Sequence, residues 1–558
     1  MISILKPKWR RLSASVLSLL LLSTGFAQQQ QLATTIAPTL SAEEQAFGES
    51  VKGETIKEVV SALSAEEMQG RGTMQAGGDK AAGYLADRFA KLGLKPLGNK
   101  DSYLQPIKFR ETQFLPETSF KFGTEKLQLG RDFIVTQPYN LDRNVTGDLI
   151  FVAYGLTSNV PKRRDLDGIN VKGKIIVMLN GPPKSVSKEA WKNAKAQMNI
   201  LRYLIMQEAA ALVFVNTGTA EHPYSEMADY LTRRQIERAD TEEAPSFLPP
   251  FITVGDDGAS RLFADSGTPF AQALANAETE SFKPFSLKKS ATITVRLKKT
   301  KGTSNNVIGL LEGSDPKLKA EALVYTAHYD AYGVSTDNRI YHGAADNGLG
   351  VGEMLAVAEA FSRLGTRPRR SIIFLAVTGE EYGGLGSDYW VNNPTWKIKQ
   401  VAADLNFDGM GTEVYGPVKT LVGYGAEHST LGAVLQAVAK AQNLNVIPDP
   451  MPEEKSFYRS DHYFFVKKGV PGLMILGAPD GQVSTWTTRM KEWEKTDYHQ
   501  PTDVIRPDWN WEGPRALAIL GAVMGMRIAN SEEMPDWLPQ SRFNRKRGTN
   551  EPPPPPEP

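Results

Sequence analysis

Apolar and polar positions fall into two textures along this chain. From about residue 304 onward, short apolar runs alternate with longer segments whose apolar residues recur at helical spacing. The runs at 304–312, 322–327, 371–377, 401–407 and 472–476 read as strands, the one that ends on His328 as a buried one. Segments 349–364, with Leu355, Ala358 and Phe361 on one face, 429–442 and 513–530 read as helices. Strands and helices in alternation predict an α/β sheet.

The first half is different. Leu85, Phe89 and Leu92 line one face of a helix that Gly93 stops. Apolar strands at 148–155, 172–179, 210–215 and 250–254 flank a helical pattern at 189–207, with no catalytic residue at any strand end. This predicts a small inserted domain over 144–288, mainly β with flanking helices. His222 has no carboxylate or histidine cluster beside it and reads as a surface loop residue. The stretches 42–143 and 289–535 then form one domain split by the insertion.

At 558 residues the chain exceeds a single ordinary core, and 41% hydrophobic with 23% charged residues describes a soluble globular protein. A net charge of +1 gives no field that favours nucleic acid or an anionic membrane. The absence of cysteine removes disulfides, thiolate nucleophiles and sulfur ligands, so a metal would be held by nitrogen and oxygen, which suits zinc, cobalt or manganese. Lys6, Lys8, Arg10 and Arg11 precede an apolar run at 12–22 and a small-residue end at Ala27. That order predicts an export signal over 1–27, leading to the periplasm or the exterior; the run is too short for the ~20 residues of a membrane span. A flexible linker over 28–41 and a flexible Pro-rich tail over 536–558 complete the plan.

Chemistry gathers at the strand ends of the second half. His328-Tyr-Asp330 closes one apolar run, and Gly343-Ala-Ala-Asp346-Asn347-Gly opens the next helix. Thr-Gly-Glu380-Glu381 follows a second run; two adjacent buried carboxylates need a cation or a proton between them, although a solvated acidic turn has the same pattern. Asp408-Gly409 ends a third run, where the glycine lets backbone approach closely or simply makes a turn. Tyr498-His499, with Asp503 as support for the histidine, precedes the last helix, and Arg459-Ser-Asp461-His462 is a further candidate lining. Taken together, two histidines, three carboxylate ligands and one spare glutamate suit a two-zinc hydrolytic site in which one carboxylate joins the metals.

These motifs, in this order, resemble the co-catalytic zinc aminopeptidases, the metallopeptidase family that also holds glutamate carboxypeptidase and the glutaminyl cyclases. Met68-Gln-Gly-Arg71-Gly-Thr73 looks like the family's amino-terminal portion, and 144–288 resembles a protease-associated domain. The resemblance implies a three-layer α/β/α fold around a central mixed, mostly parallel sheet, and two zinc ions per chain. It implies that His328 and Asp408 hold one zinc, Glu381 and His499 the other, and that Asp346 bridges them. Glu380 would be the general base, Asp330 would orient His328, Tyr498 would donate to the oxyanion, and the peptide after Asp346 would be cis. His342 and His428 match no ligand position, and His462 only lies near the pocket. The implied activity is removal of residues from peptide amino termini. Glutamate carboxypeptidase activity is the nearest alternative, with a glutaminyl cyclase or a receptor-like relative further off. The 486–493 stretch is a candidate loop over the specificity pocket.

Overall fold

The computed structural model describes residues 37–137, 141–159, 161–217, 223–242, 247–479 and 482–556. The expected export signal and His222 lie outside them. The chain divides into two compact units, Met1–Lys108 with Thr303–Pro558, and Phe109–Gly302.

The first unit holds a mixed sheet that includes β1 (Leu297–Leu311), β2 (Ala322–His328), β3 (Ser371–Val377), β4 (Val401–Asn406), β5 (Thr420–Tyr424), β6 (Asn445–Ile447) and β7 (Gly472–Ala478). Their spatial order is β1-β3-β2-β4-β7-β5-β6. Strands β3, β2, β4 and β7 are mutually parallel, while β1 and β5 run antiparallel to β3 and β7. Every residue of β2, β3, β4 and β7 is buried, which explains why they read as continuous apolar runs and not as alternating ones.

Helices cover both faces: α1 (Ala42–Glu49), α2 (Gly53–Leu63), α3 (Ala76–Lys91), α4 (Gly350–Ser362), α5 (Leu385–Asn392), α6 (Leu431–Ala441), α7 (His462–Lys467), α8 (Val483–Thr496) and α9 (Glu512–Asn530). Alternate strand residues sort to the two faces. Leu323 and Tyr325 of β2 pack with Ile56 of α2, Leu355 of α4 and Val523 of α9. Ala322 and Val324 pack on the other side with Trp390 of α5 and Phe465 of α7. The layering is therefore α/β/α. Tyr325 stacks between Phe374 and Phe407 with centroids 5.4 and 5.9 Å away, and its hydroxyl donates to Gly521 O at 2.8 Å. That fills the space where β2 meets α9.

Three expectations change. The 486–493 stretch is not a loop but the body of α8. Trp486, Met490 and Trp493 fall on one helical face and are all buried. The 536–558 tail is not flexible over its first part: Trp537, Leu538 and Phe543 are buried within the first unit. Proline-rich composition hid those apolar anchors. The 189–207 pattern is two helices, Lys188–Asn193 and Ala196–Met206, separated by Lys195 in the left-handed region at φ +49°.

The second unit has its own core and an eight-stranded mixed sheet. The parallel strands Arg143–Phe151, Ile175–Leu179, Ala211–Val215 and Phe251–Val254 form its middle. The unit extends beyond 144–288 because Ser119–Phe122 pairs with Phe285–Val295, which carries upstream chain into the same sheet. Among the described residues, no helix is long and apolar enough to cross a membrane.

Candidate metal centre

Because β2, β3 and β4 are parallel neighbours, their carboxyl ends lie on one edge of the sheet, where ligands of α/β sheets collect. His328 is level with Val377, and Thr326 is level with Asn406. Glu380, Glu381 and Asp408 therefore leave the sheet just beyond His328. Asp346 arrives on the loop before α4, and the Asp346–Asn347 peptide is cis, as the resemblance implies. Asn347 ties the loops together: Nδ2 donates to Phe407 O at 2.9 Å, and Oδ1 accepts from Gly409 N at 2.9 Å and Gly350 N at 3.0 Å. A Cβ at Gly409 would sit 2.7 Å from Ala345 O, so only glycine permits this approach.

Two clusters result, His328 with Asp346 and Asp408, and Asp346 with Glu381 and His499. His328 Nε2 is 3.2 Å from Asp346 Oδ1 and 3.3 Å from Asp408 Oδ1. His499 Nε2 is 3.3 Å from Asp346 Oδ2 and 3.0 Å from Glu381 Oε2. Asp346 thus turns one oxygen to each histidine. Ligands ~2.0–2.2 Å from a tetrahedral zinc stand roughly 3.3–3.6 Å apart, so the observed edges fit such an ion with slight expansion. Glu381 Oε2 is buried without a well-aligned hydrogen bond, its near neighbour being His499 Nε2 at 3.0 Å, and a cation would satisfy both atoms. The donors are all nitrogen and oxygen.

The local field points the same way. Burial opposes charge on His328, but the Asp408 and Glu380 carboxylates outweigh it and raise its pKa well above the usual range. His499 is pushed up to about 9, with burial again opposing and Glu381 and Asp346 prevailing. Burial pushes the Asp346 carboxyl up, yet hydrogen bonds from both histidines hold it well below the normal carboxylate range. Glu380 is raised, first by burial and then by Asp461, Asp408 and Glu381. Its Oε2 lies 3.9 Å from His328 Nε2, beside the ligands but outside both clusters. Tyr498 stacks on the His499 ring at 3.6 Å between centroids. Its hydroxyl is kept protonated by burial and by Asp346.

Two supporting carboxylates act differently from expectation. Asp330 holds the His328 ring through its backbone: Nδ1 lies 3.1 Å from Asp330 O and 3.9 Å from its Oδ1. The Asp330 carboxylate instead accepts from Thr73 Oγ1 and Glu380 N, each at 3.1 Å. Asp503 does not serve His499. Its two oxygens accept from Ala345 N at 2.8 Å and Asp346 N at 3.0 Å, which fixes the loop of the shared aspartate. His499 meets the Tyr332 hydroxyl at 3.4 Å through Nδ1 and sits at φ +56°, a costly backbone for a non-glycine residue.

Other histidines stay out of the clusters. His342 Nδ1 lies 2.9 Å from Ser64 O, and His428 lies 3.2 Å from Glu427. His462 is fully buried against Phe457, and burial pushes it down to about 3, so it is neutral. Two further contributors, Ser460 and Arg71, have roles that their sequence context did not show. Ser460 Oγ donates to Asp408 Oδ2 at 2.5 Å and accepts from Asn406 Nδ2 at 2.7 Å. Arg71, fully buried, donates to Tyr329 O, Leu63 O, His342 O and Gly343 O at 2.6–2.8 Å. It places a fixed cation under Asp503, Asp330 and Asp346. Its motif was visible in sequence; its carbonyl partners, up to 272 residues away, were not.

Comparison with known proteins accords with this geometry. Residues 306–522 match the model of Peptidase family M28. A vacuolar membrane protease of Clavispora lusitaniae is 37% identical over 108 residues, 19% of this chain and 10% of that protein. Human transferrin receptor protein 2 is 26% identical over 274 residues, 46% of this chain and 32% of the receptor. The chain thus spans about a tenth of one relative and a third of the other. The solved aminopeptidase from Aneurinibacillus sp. strain AM-1 shares the fold, with a TM-score of 0.58 at 18% identity over 88% of this chain and 97% of that one. Fold, clustered side chains and the family match agree over the same stretch: residues 306–522, which hold every residue of both clusters, are similar to Peptidase family M28.

Proposed function

We propose that this protein is an exported two-zinc aminopeptidase that removes residues from the free amino termini of peptides. The observation that carries the reading is Asp346, whose two oxygens serve two separate histidine–carboxylate clusters. In it, His328 and Asp408 would hold one zinc and Glu381 and His499 the other, with Asp346 shared between them. Bound zinc acidifies a water and polarises the scissile carbonyl.

The remaining steps belong to the chain. Glu380, outside the ligand clusters but within their reach, takes the proton from the attacking water and returns it to the leaving amine. The Tyr498 hydroxyl, neutral in its site, donates to the oxygen that becomes an oxyanion. Asp330 and Asp503 hold His328 and the Asp346 loop, which limits reorganisation during the reaction. Arg459, in the field of Tyr498 and Glu380, already pairs with Glu454 at 3.7 Å and faces Glu494. Its charge is met, which favours recognition of a substrate ammonium over a carboxylate. We read the inserted unit as a protease-associated module, and residues 1–27 as the export signal.

The test compares one peptide in three forms: free, amino-terminally acetylated and carboxyl-terminally amidated. Acetylation should abolish cleavage and amidation should leave it. The reverse pattern would assign a carboxypeptidase instead.

A further inference from the structure

We propose that the carboxyl-terminal segment 536–549 is a strap that positions Asp408 for its metal, with Phe543 as its anchoring side chain. The inference rests on the two-zinc reading, since it concerns one ligand of that site.

The path starts at Asp408, whose Oδ2 accepts from Ser460 Oγ at 2.5 Å. Ser460 lies in the turn between β6 and α7, next to the aromatic residues Phe457, Tyr458 and Tyr463. The turn and the six residues of α7 are closed by short-range backbone bonds, such as Arg459 N to Ser456 O and Tyr463 N to Ser460 O, each at 3.1 Å, which do not tie them to the rest of the unit. The strap adds contacts from outside the turn. Phe543, fully buried, meets Phe457 at 5.3 Å, Tyr458 at 6.4 Å, Tyr463 at 6.5 Å and His428 at 4.7 Å between centroids.

Polar contacts fix the strap on both sides of the stack. Leu538 N donates to His428 O at 2.9 Å, and Trp537 Nε1 donates to Gly469 O at 3.0 Å. The Arg545 guanidinium donates to Lys467 O, and Gly548 N donates to Lys468 O at 2.7 Å, so the end of α7 is held as well. Arg547 donates to Val401 O and Ala402 O at 3.1 and 3.2 Å, at the start of β4, the strand that leads to Asp408. One segment therefore grips both the strand carrying the ligand and the turn carrying its hydrogen-bond donor. Partners that orient a metal ligand change affinity by roughly 10–100-fold when removed.

The test uses full-length protein and reads zinc binding by competition with a chelating dye, independent of turnover. A His499→Ala background leaves the His328, Asp346 and Asp408 cluster intact, and a His328→Ala background leaves the other. Phe543→Ala should weaken zinc roughly ten-fold or more in the first background and leave the second unchanged. Ser460→Ala should give the same loss, and the two changes together little more than either. Phe543→Leu should give a smaller loss with the same site preference, and it carries the test if the alanine variant does not fold. Unchanged affinity in the first background, or equal loss in both, would overturn the strap while leaving the zinc reading intact. Failure of the unsubstituted protein to bind zinc would overturn both.

Discussion

Replacing Asp503 with alanine tests how the shared ligand is held. Its carboxylate accepts from Ala345 N at 2.8 Å and Asp346 N at 3.0 Å, and both amides are buried. Hydrogen bonds to a charged group contribute ~1.5–3 kcal/mol each, so the pair supplies ~3–6 kcal/mol to loop order, an upper figure because neighbours do not add. Part of that loss appears in the zinc-free protein as a lower unfolding temperature. The rest appears as weaker zinc, on the scale of 10–100-fold, or ~1.4–2.8 kcal/mol. Asp503→Asn keeps one acceptor oxygen and should lose about half as much. Zinc competition titrations and thermal melts in chelator measure the two parts separately. Zinc affinity and melting temperature both at the unsubstituted level in Asp503→Ala would refute the reasoning.

Other outcomes follow from the same geometry. Glu380→Gln should retain zinc, because Glu380 lies outside both clusters, yet lose ~10²-fold or more in kcat; near-normal turnover would remove it as the base. Arg71→Lys keeps the charge but not the fork that reaches four carbonyls, and should lower the melting temperature measurably in calorimetry. Glu353 and Glu413 are buried with one unpartnered oxygen each, and burial together with Glu413 raises the Glu353 carboxyl well above its usual 4.5. The folded state therefore keeps a proton that the unfolded chain releases, so stability present at low pH is lost as pH rises from about 4.5 toward the folded value. Glu353→Gln should match the unsubstituted protein near pH 4 and exceed it increasingly above, by at most ~1.4 kcal/mol per pH unit in urea denaturation. Equal stability at both ends of that range would show that the carboxyl carries no such burden.

The sheet was legible because parallel strands buried on both faces must be written as apolar runs, as 371–377 and 322–327 are. The clustered motifs were legible for a related reason: parallel strands put their carboxyl ends together, so residues following several runs converge. The partners of those clustered side chains were not. Nothing in the residue types says that Asp330 holds His328 by its carbonyl, or that Asp503 reaches the Asp346 loop and not the adjacent His499. Those choices depend on loop paths measured in tenths of an ångström. The strap escaped for a compositional reason, since Trp537 and Phe543 sit among prolines and charges with no period to mark them. In contrast, α8 had a readable pattern in Trp486, Met490 and Trp493, which their placement next to Tyr498-His499 disguised as a binding loop.

The most direct test of the central claim is the zinc content of purified protein and of Asp346→Ala, each dialysed against the same zinc-limited buffer. The account predicts two equivalents per chain in the first, one for each cluster, and loss of zinc from both clusters in the second. Two equivalents retained by Asp346→Ala would contradict it.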